Sequence, residues 1–351
     1  MFVANAWYVA AWSRDVTTKL IERIILRESI VLYRLRDGTA VAMENRCPHR
    51  NMPLSEGRLL DDRIRCVYHG LEFDHQGRCT HIPGQRLPAQ NTKSFVRTYP
   101  VTEKYGWVFI WMGDPARADP ALVPGFHSKL VDDQWDSANG TSMLKCGYLL
   151  VLDNLLDLSH VAYVHSSTNG NPEVAEQALV DTQSTDSSVR VMRTMRNIPP
   201  APAFAEIAKY RENIDRWQVT NFYPPGYIHI VNGSRSANSN SSVEDEFDTV
   251  GRWGFEVYWA LTPETERSTH GFWVSIYRKT DVPGTMADRF RSNTADIITE
   301  DVVVYEAQQR AIDLNHKADT GDVSSRLMIK ADQGLLHARK ILQRLSLAEQ
   351  Q

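Results

Sequence analysis

Cysteine is scarce, at four in 351 residues, too few for a disulfide framework in a chain of this length. No stretch is apolar over the length that crosses a bilayer. The opening, Met1 to Trp12, is apolar but short. It has no basic residue before it and carries Trp7, Tyr8 and Trp12, marks of a buried strand rather than a signal peptide or anchor. Long basic runs are missing and the net charge is −4, which argues against a dedicated nucleic-acid binder. A Gly-rich dinucleotide fingerprint is absent too, as is any internal repeat. What remains is an ordinary globular composition, 42% hydrophobic and 23% charged, in a length that accommodates two domains. The cytoplasm is the expected compartment.

Two of the cysteines stand in a pattern. Cys47-Pro48-His49 is followed sixteen residues later by Cys66-Val67-Tyr68-His69, so each arm offers one thiolate and one imidazole. A structural zinc site usually groups its ligands as Cys pairs and His pairs on separate arms. A mixed pair on each arm suits a cluster in which one iron keeps two cysteines and the other takes two histidines, the ligand set of a Rieske [2Fe–2S] centre. Spacing alone leaves other ligand-rich metal sites open. Cys79 and Cys146 read as small buried hydrophobes.

Residues 1 to about 112 read as short strands and turns. Ile30–Tyr33 and Ala40–Met43 flank Asp37-Gly38, a hairpin signal, and Glu72–Asp74 with Gly77–Cys79 suggests another. Trp107–Trp111 reads as a buried strand. Gly113, Pro115, Pro120, Pro124 and Gly125 break the pattern, so domains of 1–125 and 126–351 are expected. The second part opens with a helical run from Tyr148 to about Val164, then turns to strands over Val189–Met195, Trp217–Phe222, Tyr227–Val231, Trp253–Trp259 and Gly271–Tyr277. Asn232–Glu246 is polar and reads as a loop, a candidate lid. Helices are expected over Ala287–Leu314 and Ser324–Ala348. The class is α+β: a small β-rich domain, then an antiparallel sheet wrapped by helices.

The run Asn154–His165 is the second informative stretch. Asp157 and His160, three apart, lie about 60° from one another around a helix and share a face. His160 and His165, five apart, lie about 140° apart, so both reach one metal only if the helix ends, bends or bulges near Ala162. Two histidines in a partly apolar helix are more often surface or core residues; the neighbouring acids and the cluster motif favour a 2-His-1-carboxylate iron face. For the carboxylate, spacing leaves Asp153, Asp157, Glu300 and Asp301 open. Glu300-Asp301 opens or interrupts a helical run, Val302–Leu314, and its bland reading is a solvated helix terminus.

Together the two stretches resemble the oxygenase component of the Rieske non-haem iron oxygenases, over nearly the whole chain. The residues that carry the likeness are Asn5–Ala10, Cys47–Arg50, Tyr68–Glu72, Pro83–Gln85, Asp153–His160, Tyr163–His165 and Leu261–Glu266. The flanking runs match the branch of vanillate O-demethylase, toluenesulfonate methyl-monooxygenase and dicamba monooxygenase. The resemblance implies an N-terminal all-β Rieske domain and a helix-grip catalytic domain. It implies that Cys47 and Cys66 hold one cluster iron, His49 and His69 the other, and that His160, His165 and Asp301 hold a mononuclear Fe(II). Asp157 then bridges His69 of one protomer and His160 of the next in a head-to-tail homotrimer, and Asn154 lies near the iron without binding it. One departure stands out: family members often continue Cys-Pro-His-Arg with Gly-Ala-Pro-Leu, where this chain has Asn51-Met52-Pro53-Leu54.

The implied activity is that of a monooxygenase taking dioxygen, and electrons from NAD(P)H through a separate flavin and iron–sulfur reductase, to hydroxylate a methyl or methoxy group of a small aromatic acid. Ring hydroxylation is the alternative. His229, Asn232, Trp259 and Trp273 are candidates for the pocket wall, with His229, Arg235 or Asn232 for the substrate anion, although a Trp on an apolar strand is more often core. Two readings of other classes compete, an electron carrier with the cluster alone and a zinc-stapled binding module. Metal content separates the three.

Overall fold

The computed structural model describes residues 2–85, 95–237, 249, 251–282, 284–314 and 327–349. The chain divides into two compact units, Phe2–Val123 and Pro124–Gln351.

In the first unit, β1 (Trp7–Trp12) forms a three-stranded sheet with β10 (Val101–Lys104) and β11 (Trp107–Trp111). The opening strand starts at Trp7, later than the apolar run suggests, since only from there does β11 offer a pairing partner. A second sheet joins β2 (Ile21–Ile25), β3 (Glu28–Arg34), β4 (Ala40–Glu44) and β9 (Thr98–Tyr99). Strands β3 and β4 are buried on both faces. Val31, Tyr33, Val41 and Met43 pack into a core that also holds Cys47 and Cys66, while Ile30, Leu32 and Ala42 pack against Tyr8, Val108 and Ile110. Such two-sided burial explains why these runs are continuously apolar rather than alternating. A third sheet, β5 (Arg58–Leu60), β6 (Arg63–Arg65), β7 (Glu72–Phe73) and β8 (Cys79–His81), carries the second Cys/His loop between β6 and β7.

The second unit is built on one seven-stranded antiparallel sheet. Its strands are β12 (Trp135–Leu144), β13 (Leu179–Ser184), β14 (Val189–Ile198), β15 (Ile214–Tyr223), β16 (Tyr227–Ser236), β17 (Trp253–Thr265) and β18 (Ser268–Arg278), in the order β12-β18-β17-β16-β15-β14-β13. The helices are α1 (Tyr148–Leu156), α2 (Val161–Val164), α3 (Glu173–Glu176), α4 (Pro202–Glu206), α5 (Ala287–Leu314) and α6 (Gln333–Ala348). Helix α1 packs on β15, β17, α5 and α6, helix α5 also meets β12, and α6 covers β13 and β14.

Three expectations are corrected. The run from Tyr148 to Val164 is not one helix: it stops at Leu156, leaves helical geometry at Asp157 (φ −119°, ψ 90°) and resumes through a 3-10 turn, Leu158–His160. The last helix begins at Gln333, preceded by a 3-10 turn at Lys330–Asp332; Ser324–Arg326 lie outside the described residues. Asn232–Ser236 belong to β16 rather than to a loop. Asn232, Gly233 and Ser234 pair with Gln218, Trp217 and Arg216, and a ladder on both sides outweighs the loop preference of these residue types. Asn238–Glu246 lie outside the described residues. Among the described residues no helix is long and apolar enough to cross a membrane.

Candidate metal centres and the adjoining pocket

The two Cys/His loops are built alike. In the first, Cys47 N–H donates to the Met52 carbonyl (2.9 Å) and Asn51 N–H to the Cys47 carbonyl (2.9 Å); in the second, Cys66 donates to Leu71 (2.9 Å) and Gly70 to Cys66 (3.1 Å). Both turns close through a left-handed residue, Asn51 (φ +58°) and Gly70 (φ +69°). This accounts for the departure at Asn51, because Asn is among the few non-glycine residues that tolerate that region. The side chain is useful as well: Arg46 Nη1 donates to Asn51 Oδ1 at 3.1 Å. Cys47 and Cys66 are unpaired and buried, whereas His49 and His69 are exposed with ring centroids 4.5 Å apart. Burial pushes the Cys47 thiol up, while the backbone amides of His49 and Arg50 donate towards its sulfur and work the other way. Buried sulfur with amides aimed at it, beside two surface imidazoles, fits a diiron cluster with one thiolate-held and one imidazole-held iron.

The second centre depends on the break at Asp157. Its Oδ1 accepts from Ser159 N–H at 3.0 Å, starting the 3-10 turn, and its carbonyl lies 2.7 Å from His160 Nδ1. His165 sits one residue past α2, in the C-cap position (φ −107°, ψ 27°). Gly170 lies against that turn, where a Cβ would stand 1.9 Å from the Val161 carbonyl oxygen and 2.9 Å from that of His165. Between the two histidines the 3-10 turn ends at His160 and the short α2 stops at Val164. The irregularity expected near Ala162 is thus a helix end two residues on, and the earlier break at Asp157 sets the pair off from α1. With it, His160, His165 and Asp301 bring their donor atoms within 4.8 Å of one another. His165 Nε2 is 3.2 Å and His160 Nε2 3.6 Å from Asp301 Oδ1. Ligands held about 2.1 Å from one ion stand roughly 3–3.5 Å apart, so the three atoms fit a single cation and leave one side open. Asp301 lies inside α5 and is 4% exposed; Glu300-Asp301 therefore neither opens that helix nor forms a solvated terminus.

The other acids have separate partners. Glu300 Oε2 accepts from His165 Nδ1 at 2.7 Å, and Ser167 and Thr168 hydroxyls donate to its two oxygens at 3.1 Å each. A carboxylate behind one imidazole nitrogen fixes the tautomer and turns the other nitrogen towards the metal position. Asp153 is held by Arg339 from α6 (Nε to Oδ1, 2.9 Å). Asn154 Nδ2 is 3.5 Å from Asp301 Oδ1, and its own Oδ1 accepts from Tyr305 OH at 3.2 Å. The two histidines differ electrostatically. Burial lowers the pKa of His160. On His165 burial acts the same way, but Asp301 and Glu300 outweigh it and raise the pKa.

Beside the triad lies a pocket walled by Leu155, Leu158, Phe255, Val257, Trp259 and Ile298, with Asn169, Gln218, Asn232 and Ser275 as polar lining. Asn232 and Trp259 are in the wall, as expected. His229 is not. Side chains alternate along β16, and His229 points to the opposite face, where Nε2 meets Glu256 Oε2 at 2.9 Å and the ring stacks on Tyr258. Arg235 shares that face parity and lies 3.5 Å from Asp215. Trp273 is on the pocket face but covers Gly140, where a Cβ would stand 2.6 Å from its ring, and donates to Ser142 Oγ at 3.3 Å. Gln218, Asn169 and Ser275 were not expected. Gln218 carried a signal, a polar residue in an otherwise apolar run, Trp217-Gln218-Val219.

Residues 6–100 match the Rieske [2Fe-2S] domain model, and residues 144–348 match that of the vanillate O-demethylase oxygenase C-terminal domain. A toluene-4-sulfonate monooxygenase system iron–sulfur subunit of Comamonas testosteroni is 34% identical, over 99% of this chain and 98% of its own length. The vanillate O-demethylase oxygenase subunit of a Pseudomonas species is 33% identical, over 100% and 97%. A crystal structure of dicamba monooxygenase with non-haem iron and dicamba superposes with a TM-score of 0.79 at 29% identity, covering 99% of this chain and 98% of that one.

Proposed function

Because the chain belongs to the Rieske non-haem iron oxygenases, in the vanillate O-demethylase branch, we propose that it hydroxylates the methyl or methoxy carbon of a small aromatic acid. It is the oxygenase component of a multicomponent monooxygenase, with a Rieske [2Fe–2S] cluster and a mononuclear iron as cofactors. When bound, the cluster relays electrons and the iron activates dioxygen. Cys47, His49, Cys66 and His69 are the proposed cluster ligands, and His160, His165 and Asp301 the proposed iron ligands.

The observation that carries the reading is the meeting of those last three side chains on one wall of a mostly apolar pocket. An electron carrier has no use for either. Glu300 holds His165 in the tautomer that presents Nε2, and the apolar wall excludes water from the reacting carbon. Hydroxylation of an aryl methyl ether gives a hemiacetal that collapses to a phenol and formaldehyde; hydroxylation of an aryl methyl group gives a benzylic alcohol. A separate NAD(P)H-dependent reductase supplies electrons. Asp157 links His69 of one protomer to His160 of its neighbour in a trimer, and the assembly works in the cytoplasm.

Metal analysis together with a panel of methoxylated and methylated benzoates and benzenesulfonates tests this. The expected result is cluster iron plus one labile iron per chain and substrate-dependent oxygen uptake, with formaldehyde from methoxy compounds. Zinc alone, or oxygen uptake indifferent to every compound in the panel, rejects it.

A further inference from the structure

Among the described residues the pocket wall contains no lysine or arginine, yet one of its ends abuts two buried guanidinium groups. Arg193 on β14 stands directly opposite Gln218 on β15, and Arg216 lies two residues along from Gln218, so all three share a sheet face. Arg193 is 3% and Arg216 0% exposed. Arg216 Nη1 donates to the carbonyl of Asn169, itself a pocket residue, at 2.8 Å. Its Nε and Nη2 have no partner, nor does Arg193 Nε. Among the described residues Arg216 has no carboxylate in contact, only the ring of Phe204, 4.4 Å from its Cζ. Arg193 has Asp157 at 3.8 Å. On the pocket side three buried polar atoms are also unpartnered, Asn169 Oδ1, Gln218 Oε1 and Ser275 Oγ.

Buried charge without a counter-charge is costly, and so is a buried polar atom without a hydrogen bond. Burial, and secondarily the neighbouring Arg193, push Arg216 down to about 9, the signature of an uncompensated cation. Ser275 is on β18, three strands from Gln218, but the arginines and two of the three pocket atoms, those of Asn169 and Gln218, lie at one end of the pocket. An anion there supplies the missing counter-charge, and a 180° turn of an amide presents its NH2 in place of its oxygen. Gln218 Nε2 donates to Asn232 Oδ1 at 3.3 Å, so a turn of Gln218 needs a matching turn of Asn232.

We propose that the Asn169–Gln218 end of the pocket receives the carboxylate or sulfonate of the substrate, the two amides touching it and Arg216, with Arg193 behind, supplying the positive field that favours an acid over its uncharged counterpart. The proposal rests on the oxygenase reading above. The arginines act through the field and through Asn169, which makes them positioning residues.

Calorimetric binding to the holoprotein tests it with three pairs of probes: 4-methoxybenzoate and its methyl ester, vanillate and methyl vanillate, toluene-4-sulfonate and methyl 4-tolyl sulfone. The acid of at least one pair binds about tenfold tighter or more than its partner. Arg216→Met reduces that preference to about twofold or less with the native circular dichroism and cluster absorbance kept, and Arg216→Lys restores part of it. If Arg216→Met does not fold, Gln218→Glu decides, since a carboxylate at that end weakens the acid far more than the ester. The inference is overturned if no acid binds, if the uncharged partners bind as tightly, or if the preference survives in a folded Arg216→Met or in Gln218→Glu. Formaldehyde and oxygen uptake are scored separately. Acid preference without turnover keeps this inference and counts against the oxygenase reading, and turnover without preference does the reverse.

Discussion

Glu300 is not among the residues of the pocket wall, yet iron retention is expected to depend on it. Its carboxylate accepts from His165 Nδ1 at 2.7 Å and is itself held by Ser167 and Thr168. Glu300→Gln keeps an oxygen for the imidazole N–H but removes the charge. A hydrogen bond to a charged group is worth about 1.5–3 kcal/mol and a neutral one about 1, a difference of about 0.5–2 kcal/mol, or roughly 2- to 30-fold in Fe(II) affinity. Glu300→Ala also leaves Nδ1 without its acceptor in a side chain that is 2% exposed, which brings the loss to about 100-fold, the upper end for second-layer partners of metal ligands. Competition for Fe(II) against a chromophoric chelator, with the cluster absorbance as internal reference, measures both. Affinity within about twofold of the parent in both variants would refute the orienting role.

Four further outcomes are expected. His160→Ala and His165→Ala abolish turnover and iron retention while the brown cluster stays intact; activity surviving either change rejects the triad. Asp157→Asn keeps both metals but slows single-turnover oxidation of the cluster, which normal kinetics would contradict. Gly170→Ala drives a methyl into the Val161 carbonyl, costs about 1–3 kcal/mol of stability and lowers iron occupancy, read by denaturant unfolding and metal analysis. Burial alone raises the pKa of Glu256, but His229 and Lys129 outweigh it and hold it below the ordinary value. Its stabilisation is therefore complete above the unfolded value near 4.5 and is lost as pH falls through the lower folded one. Glu256→Gln should flatten the acid limb of an unfolding titration followed by circular dichroism, and an unchanged limb would count against the pairing.

The cluster loops were legible because their information is local: residue type, a spacing of a few positions, and turns that each close on themselves. The strands of the large sheet were legible for the same reason, being long β-branched and aromatic runs. The iron centre was only half so. His160 and His165 are near neighbours in sequence, but the break that aims them arises from an Asp157 side chain capping its own turn, which helical periodicity does not reveal. Choosing Asp301 over Glu300 requires the rotation of α5 against a turn more than 130 residues away. The pocket was least legible. A polar residue on a buried strand faces one side or the other according to register, and an odd spacing of three residues separates Asn232 in the wall from both Arg235 and His229 behind it.

Helix α5 presents Thr294, Ile297, Ile298 and Asp301 along one stripe of the same cavity, at intervals of three, four and seven. That part of the cavity wall and the proposed iron ligand Asp301 are therefore parts of one helix, roughly two turns long at this point. Close-packed interiors transmit displacement rather than absorb it. A guest seated against the isoleucines would press on the same helix that carries the proposed iron ligand, so filling of the cavity and the ion's coordination would share one mechanical support.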